Sequence, residues 1–545
     1  MSGVNPSWPV LGRPQHSGDS DSASAGQAGG RRPPPQAGKR RSLPAAGGAN
    51  TALRDNLEWI AVAILLVLGA RQIVVEAFKI PTGSMAPTLL GVHKEVRCPN
   101  CGWVFYVGYD KLQDGTVQCP NCLDDPWSGA SDMCAGTKAI QFRRPAWLWH
   151  EGICPTTGGM VVGADAANRV NRWGSRIFVN KFIYRFRMPR RWEVIVFLHP
   201  STSLGAVSPS TSLGAVSLSN GLSNGSSSED SAIKPRQSYI KRLVGLPGEE
   251  IAIRNGDVYV NGEIARKPPD VQKRIWQHVY DSGFVPRRVA GDTWSFGRLK
   301  GMWQQNAQDG SLTLNAFSSD RSIEAAFGRP ILDLCEYNGG GGSRAALRGE
   351  SKDPEVGDCR IEALLTVESC RPAPQASVVL RIVEDGHDFV FSVPVGDEGT
   401  AVLSDGGRRV AGHPVEGVRP GEKVRVVLEN YDDLVVAKLR GAPVIVYPYS
   451  GGPVSDVRRK RVAFGAAAAK VLFHRIKLQR DIYYEGSGVY KLDEKSCFVL
   501  GDNSPQSSDS RRWDSPGVPT DDLVGLAFAA FWPVQDMKTL SSRPW

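Results

Sequence analysis

The sequence predicts a mainly β protein: a β core behind one N-terminal transmembrane helix, with a zinc-ribbon-like insertion and a β-sandwich-like insertion. Three observations predict it. Apolar and polar residues alternate in many short runs bounded by turn signals, the period of half-buried strands. The 545 residues include 59 Gly and 37 Pro, which suits turn-rich sheets better than helical bundles. One apolar run stands near the N-terminus, and no second run of spanning length follows it.

Residues 1–52 ("GDSDSASAGQAGG", "RRPPPQAGKRR") have almost no bulky apolar residues and read as a disordered tail. Much of the +9 net charge is local to it, in Arg31, Arg32, Lys39, Arg40 and Arg41. A basic tail can bind nucleic acid or acidic lipid, or orient a membrane segment. The segment "LEWIAVAILLVLGARQIVVEAF", 57–78, favours the last: it reads as a transmembrane helix, uninterrupted from Trp59 to Ala70, with Arg71, Gln72 and Glu76 able to reach headgroups. A buried core helix or a cleaved signal-peptide core is the competing reading. Basic residues ahead of the run, Arg54 included, predict a cytoplasmic N-terminus and a large C-terminal part on the outer side of the cell membrane.

Within 95–125, Cys98, Cys101, Cys119 and Cys122 form the pattern C-x2-C-x17-C-x2-C, two knuckles that together complete a tetrahedral thiolate shell for a structural Zn2+. Two disulfides in an oxidising compartment are the alternative. Lys111 is the one basic residue between the knuckles, so no nucleic-acid partner is expected.

The core is assigned to 79–94, 160–282 and 476–545. "RIFVNKFIYRFRMPRRWEVIVFLHP" reads as a hairpin or strand pair turning at "RMPRR". At 200–232 lies a serine-rich loop in which "PSTSLGAVS" occurs twice, expected to be disordered. "RNGD" and "VNGE" are hairpin turns. Residues 283–475 are β-rich, and "VLENYDDLVVAKLRGAPV" resembles the strand–turn–strand of jelly-roll lectin-like domains, which suggests a glycan or cell-envelope ligand. Cys335, Cys359, Cys370 and Cys497 leave one or two disulfides open.

Three polar segments remain: "IPTGSMAPTL", "YIKRLVGLPGE" and "GDNSPQSSDSRRW". Ser84 lies in the first with no histidine within eight residues. A serine in a proline-rich turn is usually structural, and a lysine in a strand is usually solvated. Lys241, however, lies among Tyr239, Ile240, Leu243 and Val244, and a lysine kept dry has a depressed pKa and can serve as a base for a serine.

These segments, in this order after one apolar run and with "RWEVIVFLHP" between them, resemble the boxes of type I signal peptidases, membrane-bound serine endopeptidases with a Ser–Lys dyad. The resemblance implies a signal-peptidase-type β catalytic core and removal of signal peptides from exported preproteins after small residues, with no cofactor in catalysis. It implies Ser84 as nucleophile, Lys241 as general base, and Thr82 beside the Ser84 backbone N–H as oxyanion donor. Ser507 would orient the lysine, with Asp502, Asp509 and Arg511 in support. Phe78, Ile80, Pro81, Met85, Leu89, Tyr239 and Ile240 would line pockets for small side chains. Gly174-Ser175 departs from the family's frequent Gly-Asp. Two other functions compete. One is a self-cleaving Ser–Lys protease of the repressor class, which the apolar run disfavours. The other is a membrane-anchored lectin-like protein on a non-catalytic scaffold, which intact Ser84, Lys241 and Ser507 disfavour.

Overall fold

A computed structural model describes residues 56–63, 75–108, 117–123, 173–199, 237–287, 293–334, 336–338, 353–372, 376–451 and 460–541. The basic tail and the duplicated serine-rich loop fall outside these residues. The chain divides into two compact units, Met1–Leu65 and Leu66–Trp545. In the first, residues 56–63 are helical. Among the described residues no helix is long and apolar enough to cross a membrane.

The expected 57–78 helix is corrected at its C-terminal end. Val75–Lys79 is strand β1, held in antiparallel register with β4, Arg176–Asn180, so that Phe78 lies opposite Ile177. The local pattern "VEAFK" alternates in burial, and the partner strand supplies the hydrogen bonds that a helix would otherwise make internally.

The second unit is mainly β. A hairpin of β2, His93–Arg97, and β3, Val104–Gly108, leaves the core directly after the segment containing Ser84. The core sheet then takes β4, β5 (Val194–His199) and β6 (Gln237–Gly245), in the order β1, β4, Leu523–Trp532, β5, β6, Ser496–Leu500, Val518–Pro519. The expected pair of strands forms as β4 and β5, but not as a hairpin. The apolar C-terminal strand Leu523–Trp532 lies between them and pairs with both. Alternation along β5 puts Val194 and Val196 in one apolar cluster with Ile80, Met85 and Leu89, and Ile195 and Phe197 in another with Leu243 and Val499. Asn255-Gly256 and Asn261-Gly262 turn the adjoining small sheet, each residue at positive φ as two-residue hairpins require.

Strands from 277–480 build two further sheets, a slightly wider span than the expected 283–475. One runs Trp303–Gln305, Leu312–Asn315, Ala469–Arg480, Cys359–Cys370, Lys423–Tyr431, Leu434–Leu439, Ala442–Pro448, with Gln277–Asp281 also paired to Ala469–Arg480. The other runs Trp294–Ser295, Ile323–Phe327, Arg461–Ala467, Ser377–Glu384, His387–Pro394, Glu398–Asp405, Arg408–Glu416. Both bury side chains in one apolar cluster that includes Phe389, Phe391, Phe464 and Phe473. The described cysteines, Cys359, Cys370 and Cys497 among them, are all free thiols.

Candidate active site

The segment after β1 folds into tight turns, with Ala86 N–H bonded to Gly83 O and Leu89 N–H to Met85 O. Both of its ends are pinned by one residue. Ser175 O accepts from Ile80 N–H, Ser175 N–H donates to Leu90 O, and Ser175 Oγ accepts from Leu90 N–H. Gly174 makes this closure sterically feasible, since a Cβ there would come within 1.7 Å of Ile80 O. The family departure at Gly174-Ser175 is therefore a structural clamp on the serine loop.

From β6, Lys241 reaches this loop and its Nζ donates to Ser84 Oγ at 2.6 Å. Lys241 is 3% exposed and Ser84 9%. Burial pulls the Lys241 ammonium down from its ordinary 10.5 to about 8, with Asp509 and Asp502 opposing and Arg511 assisting. A neutral amine is thus accessible near physiological pH, and it would accept the Ser84 hydroxyl proton.

The loop after Ser496–Leu500 closes the site. Asp509 takes Arg511 in a bidentate pair, Nε to Oδ1 at 2.9 Å and Nη2 to Oδ2 at 2.7 Å, and accepts the Gly501 N–H at 3.0 Å. Burial alone would raise the Asp509 carboxyl, but the Arg511 guanidinium outweighs it and holds it below the usual range. Asp502 pairs with Arg242, the residue after the lysine, at 2.7 and 2.6 Å. Ser507 is fully buried beside Gly501 and Asp509, but no hydrogen bond joins its Oγ to Lys241.

The expected pocket residues separate into two layers. Met85 and Leu89 are 0% exposed and Ile80 3%, so they form the packed floor and offer no surface to a substrate. Phe78, Tyr239 and Ile240 are half-buried, and Pro81 and Thr82 are exposed. Ile80, Met85 and Leu89 pack in one apolar cluster with Ile177, Val179 and Val196.

Four positioning residues were missed. Asn503 donates from its backbone to Ser84 O at 3.1 Å and from Nδ2 to Gly83 O at 2.9 Å. Asn338 exchanges amide hydrogen bonds with Asn503 at 2.8 and 2.9 Å. The Tyr337 ring lies where a Gly83 Cβ would be, 1.9 Å from its Cε1, and its hydroxyl donates to Val92 O at 2.9 Å. Arg242 fixes the turn carrying Asp502 through their ion pair. "KR" and "GDN" held signals for Arg242 and Asn503. "EYNGGGG" held none, because its contact with Gly83 is purely tertiary.

The four knuckle cysteines converge, all Sγ atoms within 4.8 Å of one another. Cys98 and Cys122 lie 3.6 Å apart, as do Cys101 and Cys119. Sulfurs about 2.3 Å from a zinc sit roughly 3.8 Å from each other, whereas a disulfide needs about 2.05 Å. The donor set therefore fits Zn2+. The ribbon docks on the two-sheet region: in the second knuckle Asn121 Oδ1 accepts Asp281 N–H at 2.6 Å, and after the first knuckle Trp103 stacks on His278 at 3.7 Å.

The signal peptidase family, peptidase S26, matches residues 163–299 and 459–532, which include Lys241 and the Asp502–Arg511 loop. Over those residues the chain is similar to this family. It is 31% identical over 134 residues to a probable signal peptidase I-2 of Synechocystis, an alignment covering 21% of this chain and 49% of the relative. It is 31% identical over 137 residues to the signal peptidase I of Pseudomonas fluorescens, covering 23% and 43%. With the signal peptidase I of Bacillus caldolyticus it shares 24% over 163 residues, covering 29% and 67%. The chain thus spans about half the length of the first two relatives. Among solved structures, the carbohydrate-binding module CBM66 of Bacillus subtilis aligns at 11% identity over 32% of this chain and 90% of its own, with a TM-score of 0.22, too low to carry an argument.

Proposed function

We propose that the protein is a membrane-bound signal peptidase I, a serine endopeptidase that releases signal peptides after small residues. The observation that carries this reading is the buried 2.6 Å contact between Lys241 Nζ and Ser84 Oγ, with the lysine drawn down to about 8. Neutral Lys241 takes the Ser84 proton as Oγ attacks the scissile carbonyl. The oxyanion is met by the Ser84 N–H and the Thr82 hydroxyl, and loss of one such donor costs about 100- to 1000-fold in rate. Protonated Lys241 then delivers its proton to the departing amine, leaving an ester on Ser84. A water, deprotonated by Lys241, hydrolyses that ester and restores the serine.

Half-buried Phe78, Tyr239 and Ile240, over a floor of Ile80, Met85 and Leu89, leave shallow space that favours Ala-x-Ala-like sequences. Apolar residues 57–74 hold the catalytic unit at the outer face of the cell membrane, where cleavage sites emerge. A structural Zn2+ on Cys98, Cys101, Cys119 and Cys122 supplies no chemistry but fixes the ribbon. The two-sheet region is an added domain with a glycan or cell-envelope ligand.

The test is incubation of the detergent-solubilised protein with a preprotein and mass spectrometry of the products. Cleavage after a small residue, abolished by Ser84→Ala and by Lys241→Ala, is expected; full activity in either variant would sink the dyad.

A further inference from the structure

A cavity of about 300 Å3, which Ser84 does not line, lies between Trp103 of the cysteine ribbon, Pro87 of the serine loop and the sheet that holds Gln277–Asp281, Cys359–Cys370 and Ala469–Arg480. It is at the small end of ligand pockets, room for about one or two sugar rings. Its walls carry two indoles, Trp103 and Trp276, among planar polar side chains that include Gln277, Glu336 and Arg360. Arg360 is already fixed there, donating to Glu429 at 2.9 Å and to Glu362 and Gln479 at 2.5 Å.

Three buried polar atoms on these walls lack a hydrogen bond of good geometry: Gln277 Oε1, and Trp103 Nε1 and Glu336 Oε2, whose side chains lie within reach of each other. Gln277 is only 5% exposed and borders this cavity. A buried polar atom left without a good partner is costly, which is reason to look for a ligand that satisfies all three. Burial pushes the Glu336 carboxyl up to about 7, with the nearby Trp103 indole opposing, so this group can both donate and accept.

We propose that this cavity binds a neutral saccharide, with ring C–H faces against the indoles and hydroxyls on Trp103 Nε1, Gln277 Oε1 and Glu336. A hydroxyl both donates and accepts, so a polyol matches one orphan donor and two orphan oxygens together. A hydrocarbon would leave all three unpaired. An anion would meet Glu336, Glu362 and Asp281; a cation would meet Arg360 and Lys477. The site deepens the glycan reading of the two-sheet region by giving it a location and a ligand class, and it does not depend on the Ser84 chemistry.

The test is a tryptophan-fluorescence titration of the full-length Ser84→Ala protein in detergent with cellobiose, chitobiose and maltose to millimolar concentrations. At least one should saturate, and Gln277→Ala and Glu336→Gln should each weaken it 10-fold or more with melting temperature unchanged; Trp276→Phe provides a third variant should either misfold. Saturation that all three variants leave intact would overturn this location while preserving a glycan ligand elsewhere. Saturation by none of the sugars would overturn both, and displacement of a bound sugar by an apolar signal-like peptide would overturn the ligand class.

Discussion

Replacing Asp509 by Asn should move the acid limb of the peptidase pH profile to lower pH. The base must be neutral to act, so activity is gained as pH rises through the Lys241 pKa. Lowering that value from 10.5 to about 8 changes the neutral fraction at pH 7.5 from about 0.1% to about a quarter. Burial is the main cause, and the Asp509 charge works against it. Asparagine removes that charge while keeping an oxygen for the Gly501 N–H, and it leaves the Arg511 cation without its bidentate partner. Both changes disfavour the ammonium. A limb moved to about 7 would raise the neutral fraction at pH 7 from about a tenth to about a half. The assay is kcat/KM on a fluorogenic precursor peptide from pH 6 to 10. A wild-type limb at or above 9, or an upward move in Asp509→Asn, would refute the reasoning.

Tyr337→Ala should lower kcat at least 10-fold and cost about 3–5 kcal/mol of stability, whereas Tyr337→Phe, which loses only the bond to Val92 O, should cost about 0.5–1.5 kcal/mol; steady-state kinetics and denaturant melts separate the two. Metal analysis should find about one zinc per chain, lost with a fall in melting temperature in Cys119→Ser, which removes one of the four converging thiols. Asp502→Ala should destabilise by about 3–5 kcal/mol because Arg242 is 3% exposed and would keep its charge without a partner. Arg512→Ala, at the half-exposed Glu485 pair, should stay within about 0.5 kcal/mol by the same measurement.

The polar segments were legible in the sequence because their chemistry is local: a proline-bracketed serine, a lysine among apolar neighbours, an acidic turn. The strands of 277–480 were legible by period, and both Asn-Gly turns fell where expected. The insertion of Leu523–Trp532 between β4 and β5 was not, since alternation states which face is buried and not which strand pairs with which. The same gap explains Met85 and Leu89. Their apolar character placed them near the site, but only the third dimension put Ile177 and Val196 over them. Tyr337 and Asn338 stood beside a glycine run with no periodicity at all.

The grip on Gly83 and Ser84 has a consequence for when the proposed site is complete. Lys241 comes from 157 residues downstream and the Asn503 amide from 420 residues beyond Gly83. Contacts this distant in sequence close late and slowly in folding. A nascent chain therefore carries Ser84 without its clamp until the segment around Asn503, within the last tenth of the sequence, has docked, and on the proposed mechanism cleavage waits for that step. Docking of that segment is the safety catch on the proposed peptidase.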